Sequence, residues 1–158
     1  MDEWESYKAR WSKRYLSDVR SMNHSIAMVK SEIAELAEML DGVSGIDYSK
    51  DNRGGGDDEG LIRRIERLDS LQAEYLAELD GYLTAQARAH RALDNIGQPF
   101  RAVLTYRYIE GKAWADVADA VGYAERYCKS VLHPRGLIDL YPFIPHEFDD
   151  ADTDALEN

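Results

Sequence analysis

The chain has 158 residues, 44% of them hydrophobic and 31% charged, a balance that fits a globular or coiled-coil protein and excludes a wholly disordered one. Its 30 acidic and 19 basic side chains leave a net charge of −11, which opposes phosphate binding unless positive charge is concentrated locally. No apolar run approaches the ~18 residues that cross a bilayer, and MDEWESYKAR lacks the apolar core of a signal peptide, so a cytoplasmic protein without a membrane partner is expected.

Trp4, Tyr7, Trp11, Tyr15, Val19, Met22, Ile26, Val29, Ile33, Leu36 and Leu40 recur at intervals of three and four, which predicts one long helix from Glu3 to Leu40. Asp41-Gly42 and Gly45 are expected to stop it. Residues 41–60 read as a flexible connector around Gly54, Gly55 and Gly56, with Asp57, Asp58 and Glu59 suited to the start of the next helix. This segment lacks the Gly-Lys-Ser/Thr ending of a phosphate loop. It also fails as a calcium loop, because Asn52 stands where glycine is needed and Asp58 replaces the bidentate glutamate.

Leu61, Ile65, Leu68, Gln72, Tyr75, Leu79, Tyr82, Gln86, Ala89, Leu93 and Ile96 alternate four and three apart, predicting a second long helix with a heptad seam. Two helices of similar length joined by a glycine-rich connector should fold back as an antiparallel hairpin over residues 1–96. In that register Glu35 and Glu38 come near Arg63, Arg64 and Arg67, and Arg20 faces Asp80, pairs that select register more than they stabilise. Gln72 and Gln86 are expected to restrict register, and a second stripe of Ile62, Leu76 and Leu83 offers surface for a homodimer. Folding back also carries Lys8, Arg10, Lys13 and Arg14 toward Arg88 and Arg91.

The segment 97–136 reads as a small three-helix domain. Pro99 suits a first helical turn, Val103, Leu104, Tyr106, Tyr108 and Ile109 supply apolar surface, and Gly111 ends that helix. Val117, Ala118 and Val121 make one face of a short helix, Gly122 permits positive φ, and Cys128 and Val131 make an apolar face on the next. The pattern is a helix-turn-helix whose second helix, about Ala124 to His133, turns Glu125, Arg126, Lys129 and Ser130 outward with Tyr127 and His133 beside them. Cys128 is the single cysteine and is expected as a core thiol.

Leu104, Arg107, Tyr108, Gly111, Trp114, Val117, Ala118, Gly122, Tyr123, Glu125 and Arg126 fall on a pattern that resembles region 4 of bacterial sigma factors. The wider arrangement, long helices leading into that string, resembles the ArpU-like phage transcriptional regulators and related phage proteins. The resemblance implies an all-α regulator that binds double-stranded DNA, with RNA polymerase or a sigma factor as a further partner and no cofactor or metal. It implies Arg126 and Lys129 on bases or phosphates, Ser130, Tyr127 and Glu125 as polar contacts, and Lys112 and Arg107 on the backbone. Pro134 and Pro142 are expected to cut off any extension of the recognition helix near His133, leaving 137–146 as an apolar strap.

Charge distribution is compatible with this assignment. Residues 97–136 carry six Lys and Arg against four Asp and Glu, while the sequence after Leu137 holds seven acidic residues and no basic one. Residues 147–158 read as a disordered acidic tail. An enzyme is not expected, since His24, His90, His133 and His146 are dispersed and no metalloprotease, CxxC or nucleophile-elbow motif occurs. The alternative to a DNA regulator is a coiled-coil interaction module that binds polymerase, a sigma factor or another phage protein.

Overall fold

Long amphipathic periodicity produces two long helices in the computed structural model, which describes residues 1–44 and 57–146: α1, Glu3–Ser44, and α2, Asp57–Leu93. A reciprocal capping box starts α1, with the Glu5 N–H donating to Asp2 Oδ1 at 2.7 Å and the Asp2 N–H donating to Glu5 Oε2 at 3.2 Å. The structure is all-α, with no strand among the described residues. The helix continues through Gly42, past the expected stop at Asp41, and α2 begins at Asp57 rather than Leu61. The expected connector core at 45–56, the calcium-loop candidate within it, and the acidic tail 147–158 lie outside the described residues.

The chain divides into two compact units. In the unit His24–Gly81 the two helices run antiparallel, as the Glu32–Arg67 ion pair at 3.6 Å and the Ser25 to Glu78 hydrogen bond at 3.2 Å require. Both contacts are in the register expected for a hairpin, although the glutamate that pairs with Arg67 is Glu32 and not Glu35 or Glu38. Ile26, Val29 and Leu71 are buried there. Leu71 takes the place expected for Gln72, which is exposed together with Ile65. An α-helix of 3.6 residues per turn drifts against a strict heptad, so the buried face shifts by one position along α2.

The other unit, Met1–Asn23 with the chain from Tyr82 onward, contains the first turns of α1, the last turns of α2 and three further helices. Leu16, Val19, Ala89, Ala92, Leu93 and Ile96 are buried within it. After a cis Gln98–Pro99 bond, α3 runs as Phe100–Leu104 and continues as a π-helical turn, Thr105–Ile109. Gln98 Oε1 accepts from the Ala102 N–H at 3.0 Å and so satisfies one free donor at its start. At its end the Ile109 carbonyl accepts from Asn23 Nδ2 and Tyr82 Oη, both at 3.3 Å, which ties this helix to α1 and α2.

Two short helices complete the unit. α4, Trp114–Val121, ends at Gly122, whose φ of 77° lets its N–H and that of Tyr123 reach back to the Ala118 carbonyl. α5 spans 125–140 in three parts: Glu125–Tyr127, a π-helical turn Cys128–Leu132, and His133–Leu140. Val103, Val117, Ala118, Cys128 and Leu132 form the shared core, with Phe100, Tyr106, Trp114 and Val121 packed on it.

Pro134 does not stop α5. A proline ring would clash with the carbonyl four residues earlier in a regular α-helix. Here the preceding turn is widened, with the His133 N–H bonded to the Cys128 carbonyl five residues back. The expected strap is consequently helical to Leu140, with Leu137 and Leu140 buried, and only Tyr141–Phe143 form a separate 3-10 turn.

Candidate nucleic-acid interface

The first two turns of α5 bury Cys128 and Leu132 and leave Glu125, Arg126, Tyr127, Lys129, Ser130 and Val131 exposed. Burial pushes the Cys128 thiol pKa up, consistent with an inert core thiol. Glu125, Arg126, Lys129 and Ser130 line a shallow concavity on the outer face. Within it Lys129 Nζ lies 2.8 Å from Glu125 Oε1, and Ser130 Oγ donates to the Arg126 carbonyl at 2.6 Å. An exposed i,i+4 pair of this kind is worth only about 0.3–0.5 kcal/mol, so Lys129 can exchange its carboxylate for a phosphate at small cost.

An apolar flank adjoins these cations. Tyr123 and Tyr127 stack with ring centroids 5.5 Å apart, and both are exposed, as is Val131. The four-residue spacing of the two tyrosines is visible in the sequence, but Tyr123 was not among the expected contacts.

Lys112 and Arg107 differ in what they offer. Lys112 Nζ lies 3.5 Å from Glu110 Oε2 and 4.8 Å from the centre of the Tyr106 ring, and it is half-exposed. Arg107 stacks its guanidinium over the Trp114 ring at 4.8 Å and donates to the Lys112 carbonyl at 3.0 Å. Burial, then Arg20, pulls its pKa down. Arg107 thereby braces the Gly111 turn against α4. Gly111 itself has φ of 67°, which places it in the region that favours glycine.

His133, expected beside the outward face, is turned into the domain. Its Nε2 hydrogen-bonds Tyr108 Oη, and its ring meets the edge of Trp114 at 4.9 Å. Burial, then Lys13 and Arg107, lowers the His133 pKa from 6.5 to about 4, while burial pushes Tyr108 up to about 12. A protonated Tyr108 can therefore donate to a neutral His133. Below the unfolded pKa of 6.5 the unfolded chain takes up a proton that the folded chain refuses until about pH 4, so stability falls as pH drops through this window. The loss should reach about 2–3 kcal/mol and then level off. His133→Gln keeps an acceptor for Tyr108 and does not titrate. Urea unfolding of both proteins at pH 7 and pH 4 should show the wild type losing more by that amount, and parallel losses would refute the assignment.

The proximity of Lys13 to His133 also places part of the expected basic end of α1 beside this domain. Arg10 and Lys13 are exposed, Arg14 lies 6.0 Å over Trp11, and Arg88 and Arg91 line a groove with Tyr15, Asn95 and Phe143. Among the described residues no group of three or more His, Cys, Asp or Glu could hold a metal ion. No described helix is long and apolar enough to cross a membrane. No protein-family model, curated protein or solved structure matches the chain.

Proposed function

We propose that this chain is a phage or prophage transcription regulator that binds double-stranded DNA through α5, with Arg126 and Lys129 in the major groove and Lys112 on the phosphate backbone. The observation that carries the reading is the uncovered outer face of α5. The helix projects two cations and a hydroxyl, and the residues after Pro134 continue its axis and pack elsewhere instead of lying across it. The glycine turn before it has the left-handed geometry of a helix-turn-helix. Lys13 and Arg10 supply further positive charge in the same unit. A cytoplasmic location belongs to the same proposal.

The second reading, binding of polymerase, a sigma factor or another phage protein, is favoured by one observation: the exposed Tyr123, Tyr127 and Val131 flank is apolar. Selection of duplexes from a random pool at low salt separates the two. A DNA regulator should enrich a defined sequence. Arg126→Ala should then change which sequence is enriched, whereas Lys112→Ala should weaken all duplexes alike and reduce the salt slope by about 1. Failure to enrich any sequence, or equal effects of both substitutions on cognate and random duplex, removes the DNA reading.

A further inference from the structure

Arg88 and Arg91 in the last turns of α2, Tyr15 of α1 and the chain at 142–145 line one open groove, and all lie in the same compact unit. Both arginines are exposed, and neither forms an ion pair with a described residue. Asp18 and Asp94, the nearest carboxylates along α1 and beyond α2, are exposed but do not line the groove. Burial, opposed by Arg88, raises the Tyr15 pKa, so its hydroxyl stays protonated and can donate. Phe143, 46% exposed, adds apolar surface across from the two cations.

We propose that this groove seats the acidic segment that follows it in the same chain, with Glu147 and Asp149 on Arg88 and Arg91 and Phe148 toward Phe143. Three observations favour this occupant. Residues 147–158 carry six carboxylates, Glu147, Asp149, Asp150, Asp152, Asp154 and Glu157, and no cation, so their charge complements the groove. Pro145 itself lines the groove, so Glu147 starts within about 7 Å of it. In an extended chain successive side chains point to opposite sides, which turns Glu147 and Asp149 one way and Phe148 the other. The two carboxylates are then about 7 Å apart, against about 4.5 Å along the helix axis between Arg88 and Arg91, a difference that long arginine side chains span.

Tethering decides against the other anions that fit. A duplex backbone or an acidic segment of a partner protein carries the same sign of charge but arrives from solution. A segment joined to the groove through two residues acts at an effective concentration in the millimolar range. Seated there, it keeps Arg88 and Arg91 from any other anion. The inference does not rest on what α5 binds.

Amide relaxation measured by NMR on the 158-residue chain tests the docking. At low salt the amides of Phe148 to Asp152 should show order parameters approaching the rigid-backbone value of about 0.85, and in Arg88→Glu/Arg91→Glu they should drop below about 0.6. Raising the salt to about 1 M, where the screening length falls to about 3 Å, should release the wild-type segment in the same way. Helix content should hold, because both arginines are exposed. Arg91 stands in the last turn of α2, where a carboxylate opposes the helix dipole. The matching change on the segment, Glu147→Gln/Asp149→Asn/Asp150→Asn, therefore reads the same release with α2 untouched. A wild-type segment that relaxes as free chain, or one that stays ordered in either variant, overturns the proposal. In the first case, a shift of the Arg88 and Arg91 side-chain signals on adding a short duplex would give the groove to phosphate, and a shift on adding an acidic peptide would give it to a partner protein.

Discussion

Arg126→Glu/Lys129→Glu is expected to abolish measurable duplex binding while leaving the fold intact. Both side chains are exposed, and neither contributes to the core of Val103, Val117, Ala118, Cys128 and Leu132. The folded state loses one surface ion pair and gains a like-charge neighbour at Glu125, a change of about 1 kcal/mol or less. DNA affinity responds far more, because the domain has only six cations against four anions over residues 97–136. Removing two cations from the groove-facing side of α5 costs on the order of 100-fold near 0.1 M salt, and the introduced carboxylates add repulsion. Fluorescence anisotropy against salt should show the affinity collapse together with a shallower slope, and thermal unfolding should show little change. Unchanged affinity and slope would transfer the function of this face to Tyr123, Tyr127 and Val131, the flank suited to a protein.

The all-α architecture was legible because apolar spacing is a direct record of which helix face is buried. Ten of the eleven positions expected on the inner face of α1 are buried or half-buried, and the exception, Trp4, stands in its first turns, where the face runs out. The glycine turns at Gly111 and Gly122 were equally readable, since each needs positive φ at a helix end. Spacing alone misjudged two places where a tertiary partner decides. Gln72 fits the heptad as well as Leu71 does, and only the drift of a real helix against its neighbour exposes one and buries the other. Pro134 is a helix breaker by local chemistry, yet a widened turn absorbs it because Leu137 and Leu140 gain burial by continuing. The stacking of Arg107 on Trp114 is a further contact that no local pattern reports, because it depends on the fold-back of α4.

Gly136 is a position that local pattern leaves unmarked, and it yields the largest expected effect on stability. It lies in α5, fully inside the domain, at the crossing with α3, and nothing in the local sequence distinguishes it from a tolerated helical glycine. A Cβ added there would lie 3.2 Å from Leu104 Cδ1 and 3.2 Å from Phe100 Cβ. The Leu104 methyl can rotate aside, but Phe100 Cβ is fixed to the backbone of α3 and cannot. For Gly136→Ala the gain in helix propensity, about 1 kcal/mol, offsets a small separation of the two helices, so stability should stay within about 1 kcal/mol of wild type. Gly136→Val adds two further methyl groups at the same crossing and must push α3 from α5, opening the core at Val103 and Leu132. A loss of about 3 kcal/mol is expected, read as a lower urea midpoint at unchanged slope. A valine variant as stable as the alanine variant would mean that α3 and α5 do not cross at this residue. The docking of α5 that keeps its outer face free would then need another support.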